Sequence, residues 1–170
     1  ASGMAMSKKL EKKNSIVVVF IGDGSAEEGS FYETINLAGL YKLPLLVVIE
    51  DNKHAVESGH KERKANEYSF NKVVNGLGAL YQRCDGQDFD KVFKTTLKLR
   101  NKILIKKKVG VLHLDCLRFA RHSGAHLSKK DQLSRYRVKN EYLMIKKNDP
   151  LDILKKKYLK IDYKKLNNYQ

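Results

Sequence analysis

Asp23 sits between Gly22 and Gly24 at the end of an apolar run over residues 16–21, and Asn52 falls just past a second run over residues 45–49. If the runs are neighbouring strands of a parallel sheet, this carboxylate and this carboxamide converge at the carboxyl ends of those strands, where such sheets bind ligands. Their oxygens suit magnesium, which takes a few protein oxygens and completes its shell with phosphate and water. The two glycines let phosphate groups approach the backbone, and a helix beginning after them points its N-terminus at the same anion. The pattern is that of a magnesium–diphosphate site. Taken singly, each residue has a plainer reading, because Gly-Asp-Gly and Asn are both common turn formers.

The elements that would position these residues follow from the hydrophobic pattern. Residues 4–13 read as a helix, and residues 16–21 and 45–49 as strands buried on both faces. Ser25 and Glu28 have capping-box spacing; Phe31, Ile35 and Ala38 follow at helical intervals until Pro44 stops the helix. Residues 51–67 are polar and read as a loop. The spacing of Phe70, Val73, Val74 and Leu77 predicts a helix over 70–80, Asp85-Gly86 a turn, and Phe89, Val92, Phe93, Thr96, Leu97 and Leu104 a long amphipathic helix over 89–105. Residues 109–117 are the third strand, 118–130 a polar loop, and two Lys-rich helices are expected around Asp149-Pro150. The expected fold is α/β: a doubly wound, mainly parallel sheet with flanking helices. Residues 1–130 form the diphosphate and magnesium domain, and 131–170 a Lys-rich helical extension.

The stretch from Gly22-Asp23-Gly24-Ser25 to Glu50-Asp51-Asn52 resembles the thiamine-diphosphate fingerprint, Gly-Asp-Gly followed later by Asn. In full it looks like the alpha subunit of the decarboxylase component of 2-oxo acid dehydrogenases, pyruvate dehydrogenase among them. Arg118-Phe119-Ala120-Arg121-His122-Ser123 resembles that family's Arg-Tyr-x-x-His-Ser loop, and Tyr136-Arg137 and Asp149-Pro150 fall where it carries Tyr-Arg and Asp-Pro. The likeness covers residues 1–155. It implies thiamine diphosphate and Mg2+ as cofactors, with the metal held by Asp23, Asn52 and the backbone carbonyl of His54. It further implies cofactor contacts from Gly24, Ser25, Arg118 and His122, with His122 the catalytic acid–base or phosphate-binding group. Ser123 resembles a position that regulatory kinases modify in some relatives.

Two departures stand out. Asp51-Asn52 replaces the usual Asn-Asn, and Phe119-Ala120 replaces Tyr and a first loop histidine. The resemblance also implies a heterotetrameric oxidoreductase. A beta-type partner subunit supplies the pyrimidine-binding domain, and a lipoyl acyltransferase and a small 2-oxo acid are the further partners. Residues 1–6 resemble the interior of the small-residue helix upstream of Gly-Asp-Gly, so a fragment or shortened subunit is expected. A split transketolase-like subunit and an inactive binding subunit remain open alternatives.

Composition sets the remaining bounds. At 170 residues the chain is long enough for one domain with a real core. Its net charge of +15 comes from lysines scattered over several short clusters, with no nucleic-acid motif beside them. A basic rim attracting an anionic cofactor and a 2-oxo acid accounts for it more simply. No apolar run approaches the ~20 residues of a membrane span. Residues 1–15 are polar and unlike a secretory signal. Cys84 and Cys116 fit neither a disulfide framework nor a zinc pattern and read as buried thiols in a reducing cytoplasm. His113 is expected to face away from Val111 as a structural polar residue, and His60 and His126 have no supporting constellation.

Overall fold

The computed structural model describes residues 1–118, 122, 143–144 and 147–158. In chain order the elements are α1 (Ser2–Leu10), β1 (Val17–Gly22), a 3-10 turn (Ser25–Glu27), α2 (Gly29–Leu40), β2 (Leu45–Asp51), β3 (His54–Ala55), β4 (Ser58–Gly59), α3 (His60–Arg63), α4 (Phe70–Gly76), β5 (Leu80–Asp85), α5 (Phe89–Lys106), β6 (Gly110–Asp115) and α6 (Pro150–Tyr158). Four strands make one parallel sheet in the order β1-β2-β6-β5, and β3 and β4 make a small antiparallel hairpin.

The apolar runs become strands because helices cover both faces of the sheet. In β2 every residue except Glu50 is buried. One face takes Val47, Ile49 and Val111 into a cluster with Ala5 of α1, Phe31, Ile35 and Ala38 of α2, and Val74 of α4. On the other face, Leu99 and Ile103 of α5 pack on Leu46, Val48, Leu112 and Leu114. Parallel connection with helices on both sides is the doubly wound α/β arrangement expected from the pattern.

Several local expectations are corrected. The helix expected over 70–80 ends at Gly76, Gly78 turns the chain with φ +78°, and Leu80 begins the strand β5. That strand reads Leu-Tyr-Gln-Arg-Cys-Asp at a sheet edge, so it lacks the continuous apolar run of a central strand. The capping box at Ser25 does not form: Ser25–Glu27 is a 3-10 turn, and α2 starts at Gly29 with no side-chain cap bond. Residues 51–67 are more than a loop, holding the hairpin and α3. His113 shares its face with Val111, since Val111 pairs with Val47 and His113 with Ile49. Of the Lys-rich helices, α6 lies within the described residues; its Tyr158 hydroxyl donates to Asp90 Oδ1 at 2.9 Å and its Lys157 ammonium pairs with the same carboxylate. Tyr136-Arg137 and His126 lie outside the described residues.

α5 can lie directly on β6 because Gly110 has no side chain. A Cβ there would stand 2.6 Å from Ile103 Cδ1, 3.0 Å from Ile103 Cγ1 and 3.3 Å from Leu99 Cγ. Gly110→Val is therefore expected to cost about 1–3 kcal/mol through overpacking. Urea unfolding should show a lower midpoint with an unchanged slope.

Candidate functional site

Three strand ends open on one cleft of about 570 Å3, lined among others by Asp23 after β1, Asn52 and His54 after β2, and Arg118 and His122 after β6. Asp23 is buried, 3% exposed, although it lies at an otherwise accessible turn. Gly24 makes a close approach possible, because a Cβ on it would meet Ala55 Cβ at 2.7 Å. The hairpin β3–β4 thereby rests on the Gly-Asp-Gly turn. Gly22 has open space where its Cβ would lie, which leaves room against the backbone for a ligand. Ser25, Glu28 and Gly29 line the same cleft, so the start of α2 also faces it.

The exit from β2 is fixed by its own side chains. Asp51 Oδ1 accepts from the Lys53 N–H at 2.8 Å and Asn52 Oδ1 from the His54 N–H at 3.0 Å, while Lys53 adopts a left-handed φ of 68°. These side-chain-to-backbone bonds are the turn chemistry of Asp and Asn. A carboxamide oxygen has two lone pairs, so Asn52 can hold this turn and still face a cation.

A chain of charged and polar groups links the strand ends. Arg63 donates to Asp23 Oδ2 at 2.6 Å and to Glu27 Oε2 at 2.5 Å. His60 Nε2 stands 3.2 Å from Asp23 Oδ2 and 3.0 Å from Asp51 Oδ1. Asp51 Oδ2 meets His113 Nε2 at 2.7 Å, and His113 Nδ1 meets the Tyr81 hydroxyl at 2.9 Å. A neutral His113 with its proton on Nε2 satisfies both contacts, donating to Asp51 and accepting from Tyr81. Burial pushes the Asp51 pKa up, but the bond from His113, the nearby His60 and the Lys53 N–H outweigh it and hold the pKa at about 2. Burial works to lower the pKa of Arg63, but its bonds to Asp23 and Glu27 raise it.

The structure thus brings Asp23, Gly24, Ser25, Asn52, His54, Arg118 and His122 to a single cleft. His122 is exposed there, and Arg118 donates to its Nδ1 at 3.2 Å. Sequence reasoning missed Arg63 and left His60 unassigned; both lie on α3, which the hairpin carries back to Asp23. Their one signal was the spacing of His60 and Arg63, which lie a helical turn apart on one face. Cys84 and Cys116 are half-buried free thiols, and burial pushes Cys116 up to about 12, which keeps it protonated and inert. Among the described residues no helix is long and apolar enough to cross a membrane.

The whole chain, residues 1–170, matches the family described as dehydrogenase E1 component. It belongs to the dehydrogenase E1 component family. Among similar proteins is the pyruvate dehydrogenase E1 component subunit alpha of Staphylococcus epidermidis, 31% identical over 158 residues, which are 93% of this chain and 41% of the relative. The subunit of the same name from Staphylococcus aureus is 30% identical over 151 residues, 89% of this chain and 40% of its own. This E1-family chain therefore spans about two fifths of the length of the curated relatives it matches.

The buried Asp51–His113 contact can be tested separately from any ligand. His113→Leu leaves Oδ2 of the buried Asp51 carboxylate without its donor and is expected to cost about 3 kcal/mol. Adding Asp51→Asn removes the stranded charge and should recover roughly half of that loss. A double-mutant cycle from denaturant unfolding measures both.

Proposed function

We propose that this E1-family chain is the alpha-type, diphosphate-binding part of a thiamine-diphosphate-dependent enzyme that oxidatively decarboxylates a 2-oxo acid. What carries the reading is the convergence of Asp23 and Asn52 from adjacent parallel strand ends on one cleft that also holds cationic side chains. The donor set fits the group. Asp23 and Asn52 offer hard oxygens for Mg2+, with the His54 carbonyl as third protein ligand. Arg118, His122 and the open backbone at Gly22 suit a diphosphate.

When bound, thiamine diphosphate supplies the carbanion that adds to the 2-oxo acid and accepts the electron pair released as carbon dioxide leaves. The chain's own residues do the positioning. Asp23 and Asn52 fix the diphosphate end on rigid strand termini, and Ser25 and Gly24 border it. Arg63 pairs with Asp23 as its counter-cation and His60 bonds to the same carboxylate, and a metal would take over that compensation. His122, on the loop after β6, is the group placed to hold or move a proton over the bound cofactor. Activation of the cofactor's aminopyrimidine ring requires a carboxylate from a beta-type partner subunit. The cofactor then lies between the two chains.

Asp23→Ala is expected to abolish Mg2+-dependent thiamine diphosphate binding in the assembled complex while leaving the fold intact, as calorimetric titration would show. Equal affinity in wild type and variant would remove Asp23 from the metal shell. His122→Ala should instead slow single-turnover decarboxylation at saturating cofactor by about 10²- to 10⁴-fold, the usual worth of a positioned acid or base, while lowering Mg2+ binding far less. A slowing of less than ~10-fold, below that range, would make His122 an ordinary loop residue.

A further inference from the structure

We propose that Asp23, Asp51 and His60 form a binding site for a first-row transition-metal dication of the Mn2+, Co2+ or Zn2+ class, filled without the cofactor. It goes beyond the magnesium reading: it shares Asp23, leaves Asn52 out, and uses two residues that reading does not.

The three side chains already converge on one point. His60 Nε2 lies 3.2 Å from Asp23 Oδ2 and 3.0 Å from Asp51 Oδ1, and one ligand atom from each residue falls within 4.8 Å of the others. Ligands about 2.1 Å from one ion stand roughly 3.0–3.4 Å apart when they are neighbours in its shell. Both carboxylates are nearly fully buried, 3% and 1% exposed, while His60 stands on the outer side. An ion would be gripped by the two buried carboxylates from within and by His60 from the outer side.

The outer shell is also built. The second oxygen of Asp51 meets His113 Nε2 at 2.7 Å, and His113 in turn meets the Tyr81 hydroxyl at 2.9 Å. Ligating carboxylates are held by such partners, and losing one costs about 10- to 100-fold in metal affinity. Two carboxylates neutralise a dication. The imidazole selects against Mg2+, which prefers oxygen alone, and towards transition ions. On binding, His60 turns its Nε2 lone pair to the ion by carrying its proton on Nδ1. Arg63 gives up Asp23 and retains Glu27, to which its other nitrogen already donates.

The test is titration of Co2+ into the metal-free full chain in the absence of thiamine diphosphate, read by calorimetry and by the visible absorption of nitrogen-ligated cobalt. One equivalent is expected. His60→Ala, at a partly exposed position that leaves the core untouched, should weaken it at least about tenfold, the lower bound for even an outer-shell loss. Asp51→Asn should do the same, with circular dichroism reporting its fold, and Asn52→Ala should leave cobalt binding unchanged. No stoichiometric Co2+ in the wild type, equal affinity in His60→Ala, or loss of cobalt in Asn52→Ala would each overturn the proposal. A separate titration of thiamine diphosphate with Mg2+ into the assembled complex keeps the two readings distinguishable. If Asn52→Ala has no effect there, the magnesium reading fails while the cobalt result stands.

Discussion

Two carboxylates, Asp23 and Asp51, are buried at the ends of adjacent strands, and most of what surrounds them follows from that. Burial penalises a carboxylate charge, and a second one nearby adds to the penalty unless donors and cations compensate. Here the compensation is explicit: Arg63 and His60 on Asp23, His60, His113 and a backbone N–H on Asp51. With those donors in place Asp51 remains acidic, at about 2, despite its burial. The electrostatic state of the cleft is thus set by groups that arrive from three separate elements, α3, β6 and the turn after β2.

The path of the chain between β2 and α4 makes sense as the means of delivering Arg63 and His60. Asp51 and Asn52 bend the strand exit through their own side chains, and Lys53 takes the left-handed turn. The hairpin then folds Ala55 onto Gly24, an approach that any larger residue at Gly24 would block. Gly59 precedes α3, its N–H satisfied by Glu62 at 2.9 Å, and the short helix sets His60 and Arg63 over the Gly-Asp-Gly turn. Arg63 is further tied by its Nε to the Ser58 carbonyl at 3.1 Å, so the guanidinium is fixed to the hairpin as well as to its carboxylates.

What was legible in the sequence divides along physical lines. Central strands buried on both faces announce themselves as unbroken apolar runs, which is why β1, β2 and β6 and the convergence of Asp23 with Asn52 could be anticipated. β5 could not be read that way. At the sheet edge its residues are half-buried and mixed, and the Leu77 that extends the helical spacing hides the break at Gly78. His60 and Arg63 were illegible for a different reason. A polar segment has no periodicity to fix its direction, and the tertiary return of the hairpin decides where its charges land. His113 shows that even a correctly placed strand does not give the partner of a buried polar residue. That depends on Asp51 and Tyr81 flanking it from the neighbouring strands.

The strand that precedes Asp23 lies at one end of the described sheet. Among the described residues β1 is hydrogen-bonded into the parallel ladder through β2 alone. Val18 and Phe20 pair in register with Leu46 and Val48, yet they remain 42% and 64% exposed where Leu46 and Val48 lie under α5. On its other face β1 is held by Val17, buried in the cluster of α1, α2 and α4. The position of Asp23 relative to Asp51 and Asn52 therefore rests on that ladder, on the packing of Val17, Val19 and Ile21, and on the charge pairs at the strand end. Ion pairing at the strand end and strand pairing in the sheet reinforce each other: loosening β1 would separate Asp23 from its cations, and removing the cations would leave a buried carboxylate pulling the strand end towards water.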